Sequence, residues 1–290
     1  MKKLLFIQSQ DRGHWVGDGF PVRTVFSYND RGAGLSPFLL LDYAGPADFA
    51  STAARRGVGE HPHRGFETVT IVYSGEVEHR DSSGGGGVIG PGDVQWMTAG
   101  GGIVHEEFHG PEFRKNGGLF EVIQLWVNLP ARDKLAAPAY QAITNGDIPV
   151  GELPGGAGSV RVIAGNHNGN AGPARTFTPI NIWDVRVKAG GRAQFSVPAG
   201  YTTAVFVLHG GIALPGGEQI GEAQLAVLEQ EGESFAVEAV DDATLLVLNG
   251  KPIAEPVVGY GPFVMNTREE INQAITDYQS GRMGRIAARD

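Results

Sequence analysis

His61-Pro62-His63 and, further along, His105-Glu106-Glu107 are two short runs that share one spacing. In each, a histidine is followed two positions later by a second potential metal ligand. On an extended strand, residues i and i+2 point to the same face, about 6.5–7 Å apart. Two such strands facing each other inside a barrel can aim three imidazoles and one carboxylate at a single point. That ligand set suits a borderline divalent metal: iron, manganese, nickel, copper or zinc.

The surrounding sequence supplies the strands. The 44 glycines and 17 prolines punctuate short, β-rich, alternating segments, the pattern of an all-β sandwich or barrel. Strands are expected around Glu67–Tyr73, Asp93–Met97, Phe120–Leu129, Ile182–Lys188, Thr203–Leu208 and Thr244–Leu248. A weak repeat is visible between Val69–Val77 and Ala204–Ile212, each a β-rich run that meets a glycine turn and re-enters a strand. Pro130–Gly158, rich in Pro, Gly and Ala, reads as a linker. The expected architecture is two barrels of similar plan, 1–134 and 135–290. Near the end, Thr267 and Glu270 form a capping-box pair. Ile271, Ala274, Ile275 and Tyr278 follow with helical spacing, so a helix is expected over 267–280.

Composition narrows the function. With 41% hydrophobic and 19% charged residues the chain is an ordinary globular one. A net charge of −9 argues against a general nucleic-acid binder. There is no cysteine, which excludes disulfides, thiolate metal sites and cysteine nucleophiles. The basic start Met1-Lys2-Lys3 precedes too short an apolar run for a secretory signal, and no stretch has the length of a membrane span. A cytoplasmic protein with no membrane association is expected.

Other residues are weaker candidates. Glu67 shares parity with His63, and His109 with His105 and Glu107; His109 reads as a solvated rim histidine. Gln124, Trp126 and Asn128 lie on one strand face as candidate lining, with Trp126 read as core. Phe66 and Met97 are candidate pocket walls, and His167 and His209 read as structural. The run Ser82–Gly87 lacks the Gly-Lys-Ser/Thr of a phosphate loop and reads as a hairpin connection. In the second half, neither Ser196–Thr202 nor Phe235–Leu248 offers a histidine, so no metal is expected there.

Two longer stretches carry a family resemblance. The His-x-His, the glutamate four residues on and the later Gly-x-x-His resemble the two motifs of the cupin superfamily. His61-Pro62-His63-Arg64-Gly65-Phe66-Glu67-Thr68 and Pro91–Gly100 are similar to the signature of the pirin family, as are His79-Arg80-Asp81-Ser82, Gln124–Leu129 and Gly261–Thr267. The resemblance implies two cupin (jelly-roll) barrels in tandem with a short C-terminal helix, and one metal, most often iron as Fe(2+), in the N-terminal barrel. It implies His61, His63, His105 and Glu107 as ligands. In most metal cupins the glutamate of the first motif, here Glu67, takes the carboxylate place instead. Either Glu107 or Glu67 is a natural general base; Glu107 is the expected one. The implied activity is that of a metal-dependent quercetin 2,3-dioxygenase, cleaving a flavonol ring with O₂ and releasing carbon monoxide. The alternative is a non-enzymatic, redox-responsive regulator that acts through protein partners.

Overall fold

The structure, a computed structural model, describes residues 1–30 and 34–288. It divides into two compact units. One comprises Arg12–Gly34, Phe38–Asn145 and Ile253–Asp290; the other comprises Met1–Asp11, Leu35–Pro37 and Gly146–Pro252. Both are β-barrels, and the fold is all-β with two cupin domains, as expected.

In chain order the first strands are β1 (Leu4–Ser9), β2 (His14–Val16), β3 (Phe20–Ser27), β4 (Phe38–Phe49), β5 (Gly57–His63), β6 (Phe66–Ser74), β7 (Val77–Asp81), β8 (Gly86–Ile89), β9 (Val94–Thr98), β10 (Ile103–His109), β11 (Gly118–Asn128) and β12 (Ala139–Ile143). In the first unit a seven-stranded sheet runs β12-β9-β6-β11-β4-β3-β2, and a four-stranded sheet runs β5-β10-β7-β8. A short helix α1, Pro111–Asn116, lies between β10 and β11. The first unit is closed by α2, Arg268–Gln279, which starts with the Thr267/Glu270 capping box read from the sequence. Its apolar stripe packs Ile271 and Ala274 with Val104, Phe263, Met265 and Met283.

The second unit repeats the plan. Its seven-stranded sheet runs β1, Gln224–Leu228, Thr202–His209, Ala243–Gly250, Ile180–Val187, Gly158–Ala164, Val150–Glu152. Its four-stranded sheet runs Arg192–Ser196, Ser234–Ala239, Ile212–Ala213, Gln219–Ile220.

The units are not consecutive halves, as a single cut at 134/135 would make them. β1 pairs with Gln224–Leu228 and so completes the second unit's sheet. There Lys2 Nζ donates to the carbonyls of Tyr201, Glu229 and Gln230. The helix lies with the first unit, because its buried stripe and its Asp277, paired with Arg64 at 2.9 Å, both face that barrel. Nor is Pro130–Gly158 only a linker. It holds β12, the edge of the first barrel's sheet, and buried Lys134, whose Nζ donates to Gly65 O, Asn128 Oδ1 and Val264 O.

Candidate metal centre

The four-stranded sheet of the first unit carries the centre. In the β5·β10 register His105 lies opposite His61, with Ile103 opposite His63. In the β10·β7 register Asp81 lies opposite His105, and His79 opposite Glu107. Because side chains alternate along strands, all six of His61, His63, His79, Asp81, His105 and Glu107 face one way.

Two groups result. Ligand atoms of His61, His63 and His105 all lie within 4.8 Å of one another, and so do those of His79, His105 and Glu107. In the first group the ring centroids are 4.2 Å apart for His61 and His105, 4.8 Å for His63 and His105, and 4.9 Å for His61 and His63. His63 and His105 are buried, His61 half-buried.

The hydrogen bonds fix which nitrogen each ring offers. His61 Nδ1 lies 2.8 Å from Gly59 O, and His63 Nδ1 3.4 Å from Pro262 O. A carbonyl only accepts, so both Nδ1 atoms carry the proton and leave Nε2 as the lone pair. For His105, Nδ1 lies 3.3 Å from His79 Nδ1. His79 donates from Nε2 to Asp81 Oδ2 at 3.0 Å, which leaves His79 Nδ1 as an acceptor. His105 then donates from Nδ1, and its Nε2 is buried without a hydrogen-bond partner. A buried, unpartnered lone pair is costly unless something fills its place. Burial, with the neighbouring histidines second, drives His63 and His105 well below the ordinary histidine pKa. Both stay neutral, as metal ligation requires. These residues fit a divalent metal ion. The second group reads differently, since His79 spends both ring nitrogens on Asp81 and His105 and so supports its neighbour.

Glu107 is buried and lies in the same network. Its Oε1 accepts from Gln95 Nε2 at 2.9 Å, with Thr70 Oγ1 at 3.4 Å. Gln95 in turn accepts from Tyr140 OH at 3.2 Å. Glu107 also lines, with His61 and His63, an apolar cavity of about 360 Å³.

The other sequence candidates separate cleanly. Glu67 is absent from both groups. Gly65, at φ 89°, turns the chain between β5 and β6, so the shared parity of His63 and Glu67 is lost. A Cβ at Gly65 would meet Val264 O at 2.0 Å. Glu67 instead accepts from Thr98 Oγ1 at 2.8 Å, and burial pushes its carboxyl up to about 7. His109 is not a rim residue. It is buried among Phe20, Phe49, Phe113 and Phe120, and donates to Gly19 O at 2.8 Å. Trp126 and Gln124 line the cavity, while Asn128 is buried on Lys134. Phe66 is buried under Trp126, rings 4.2 Å apart, and Met97 is packed in core. His79 and Asp81 escaped the sequence reading as site residues, although their i, i+2 spacing is the one that marks the other two pairs.

Comparisons with known proteins show the family and the fold. Residues 19–127 match the Pirin family model, and 182–284 match the Pirin C-terminal cupin domain. A Pseudomonas aeruginosa protein named "Putative quercetin 2,3-dioxygenase" is 58% identical over 97% of this chain and 98% of its own. The crystal structure of a quercetin 2,3-dioxygenase from Acinetobacter baumannii is 52% identical, with a TM-score of 0.96 over 99% of this chain and all of that one. A bacterial pirin from Escherichia coli in complex with nickel(II), 19% identical and covered to 99% by 86% of this chain, shares the fold at a TM-score of 0.65.

Proposed function

The chain belongs to the pirin family, and from that premise we propose that it is a metal-dependent quercetin 2,3-dioxygenase working in its first barrel. The observation that carries the reading is the set of three imidazoles with every Nδ1 spent and every Nε2 free, beside an apolar cavity. His61, His63, His105 and Glu107 would hold one divalent metal, Fe(2+) by family likeness. An N₃O set alone does not choose iron over manganese, nickel, copper or zinc. When bound, the metal would supply Lewis acidity and a path for electrons between substrate and O₂.

The chain's own residues do the rest. Val16, Phe20, Val22, Ala44, Val58 and Val122 wall a cavity suited to a flat aromatic ring system and exclude water from it. Glu107, at the metal-facing end, accepts the proton of the substrate's 3-hydroxyl at a carboxylate oxygen. Gln95 holds that carboxylate in place through Oε1. Asp81 and His79 hold His105 in its tautomer. Overall, a flavonol and one O₂ give a ring-opened ester and carbon monoxide. Among the described residues no helix is long and apolar enough to cross a membrane; a cytoplasmic setting, without nucleic-acid partners, is part of the same reading.

The test is turnover of quercetin by iron-loaded protein under O₂, followed by carbon monoxide release. We expect release by the wild type and its loss in His63→Ala. Fully loaded protein that releases none would return the protein to the regulatory reading, to be pursued through bound partners in a pull-down.

A further inference from the structure

The cavity is apolar on most sides, but one polar row crosses its sheet wall. Thr24 on β3 lies opposite Asp42 on β4. Asp42 lies opposite Gln124 on β11, Gln124 opposite Thr70 on β6, and Thr70 opposite Gln95 on β9. Directly opposed residues share a face, so five adjacent strands each place one polar side chain in a single line. Its Gln95 end touches Glu107 and, at 3.4 Å, His79. Bonds run along it from Thr24 Oγ1 to Asp42 Oδ1 (2.5 Å) and from Thr70 Oγ1 to Gln124 Oε1 (2.6 Å).

The line is broken at one place, between Asp42 and Gln124, and both of these residues line the cavity. Among the described residues, Asp42 Oδ2 and Gln124 Nε2 have no hydrogen-bond partner. An unused acceptor and an unused donor side by side match a hydroxyl group, which donates one bond and accepts another. Burial raises the Asp42 pKa, against the smaller opposing effect of the Thr24 bond, so the group lacks full solvation. A structural role alone would explain neither the gap nor its opening onto the cavity.

We propose that Asp42 and Gln124 form a second recognition point in the wall of the cavity, which reads a hydroxyl of an aromatic substrate other than the one held at the His61/His63/His105 centre. The inference rests on the functional reading above and deepens it: the preferred substrate class is a polyhydroxylated aromatic, not a bare one. Gln124 and Asp42 are then specificity-determining residues, since a site built to hydrogen-bond a hydroxyl penalises the analogue that lacks it.

The test compares two ligands on the metal-loaded protein without O₂, by fluorescence titration: quercetin, and 3-hydroxyflavone, which keeps only the 3-hydroxyl. The wild type should prefer quercetin by roughly tenfold or more, the size of one hydrogen bond to a charged group. Asp42→Ala and Gln124→Ala should each shrink that preference severalfold, chiefly through weaker quercetin binding. Binding of 3-hydroxyflavone by the variant reports an intact pocket. Should Asp42→Ala lose both ligands, Asp42→Asn, which keeps the side-chain shape, carries the same comparison. A preference unchanged in the variants overturns this inference and leaves the dioxygenase reading standing. Failure of the wild type to bind either ligand overturns both.

Discussion

The two barrels share a plan, a seven-stranded sheet with a four-stranded one, and differ in what fills them. In the first, His61 lies opposite His105 on the β5·β10 pair, with ring centroids 4.2 Å apart. In the second, Arg192–Ser196 pairs with Ser234–Ala239 and puts Phe195 opposite Phe235, stacked at 4.9 Å. Around those phenylalanines lies a continuous buried cluster that includes Val162, Trp183, Val205, Val207 and Val247. Around the histidines lie buried His79, Asp81, Gln95 and Glu107, and a cavity. The second barrel shows that the same strand plan can be filled almost wholly by apolar side chains, with buried His167 against Trp183 and Phe195 as a polar exception. Burying a polar group without a partner costs several kcal/mol. Around its histidines the first barrel limits that cost by bonding His79, Asp81, Gln95 and Glu107 to one another, and leaves His105 Nε2 without a partner. Its interior is therefore organised for chemistry, and the second barrel's for packing.

The largest effect should come from the histidines themselves. The double variant His61→Ala/His105→Ala should fall from one metal per chain to none by elemental analysis. Retention of full stoichiometry would remove the assignment. The contrast fails from the other side if a second metal survives dialysis and maps to the unit built on Gly146–Pro252. Among the described residues, both groups of three or more close ligand atoms lie in the first unit.

Much of this was legible in the chain, and what was missed has local causes. Strand alternation and glycine turns place the barrel strands within a residue or two, as with Thr203–Leu208 against Thr202–His209. The helix was legible from its cap and stripe. Its attachment to the first unit was not, because an apolar stripe says that a face is buried and not against what. The pairing of β1 has the same character: Leu4–Ser9 alternates in burial as any edge strand does. In the site, i, i+2 parity works within a strand and fails across a turn. It pairs His61 with His63 and His105 with Glu107, yet misleads at Glu67, beyond the Gly65 turn. The sequence also misplaced His109 as a rim residue, since only the fold brings four phenylalanines around it.

Glu67 supplies the next test, because a buried carboxyl kept for structure should behave unlike a ligand. Its folded pKa, about 7, lies above the ordinary 4.5. The native state thus holds this proton more tightly than the unfolded chain. That contribution is complete below the unfolded value and is lost as pH rises through about 7. Glu67→Gln removes the ionisation while keeping an acceptor for Thr98 Oγ1. In denaturant titrations the variant should gain on the wild type as pH rises, by about 3 kcal/mol at about pH 8 relative to about pH 4, where ionisation makes little difference. Metal content should not change. Loss of the metal in Glu67→Gln would make Glu67 the carboxylate ligand and displace Glu107.

The smallest effect we predict separates the histidines that would bind metal from the one that supports them. His79 contacts His105 through nitrogen and stacks on Tyr140, with rings 5.0 Å apart, yet both its nitrogens are engaged within the protein. In His79→Ala the His105 Nδ1–H loses its acceptor, and the ring is free to turn. Metal should still bind, but with affinity lowered roughly 10–100-fold, the usual cost of removing a partner behind a ligating histidine. Competition against a chelator at fixed pH measures it. Asp81→Asn should have the milder effect of the two, because His79 stays in place and loses only the charge that orients it. His79→Gln, which can return an acceptor to His105, should recover part of the loss. If His79→Ala binds metal as tightly as the wild type, His105 does not depend on the Asp81–His79 pair for its tautomer. If instead the metal is lost altogether, His79 is itself a ligand and the second group of close atoms, not the first, is the centre.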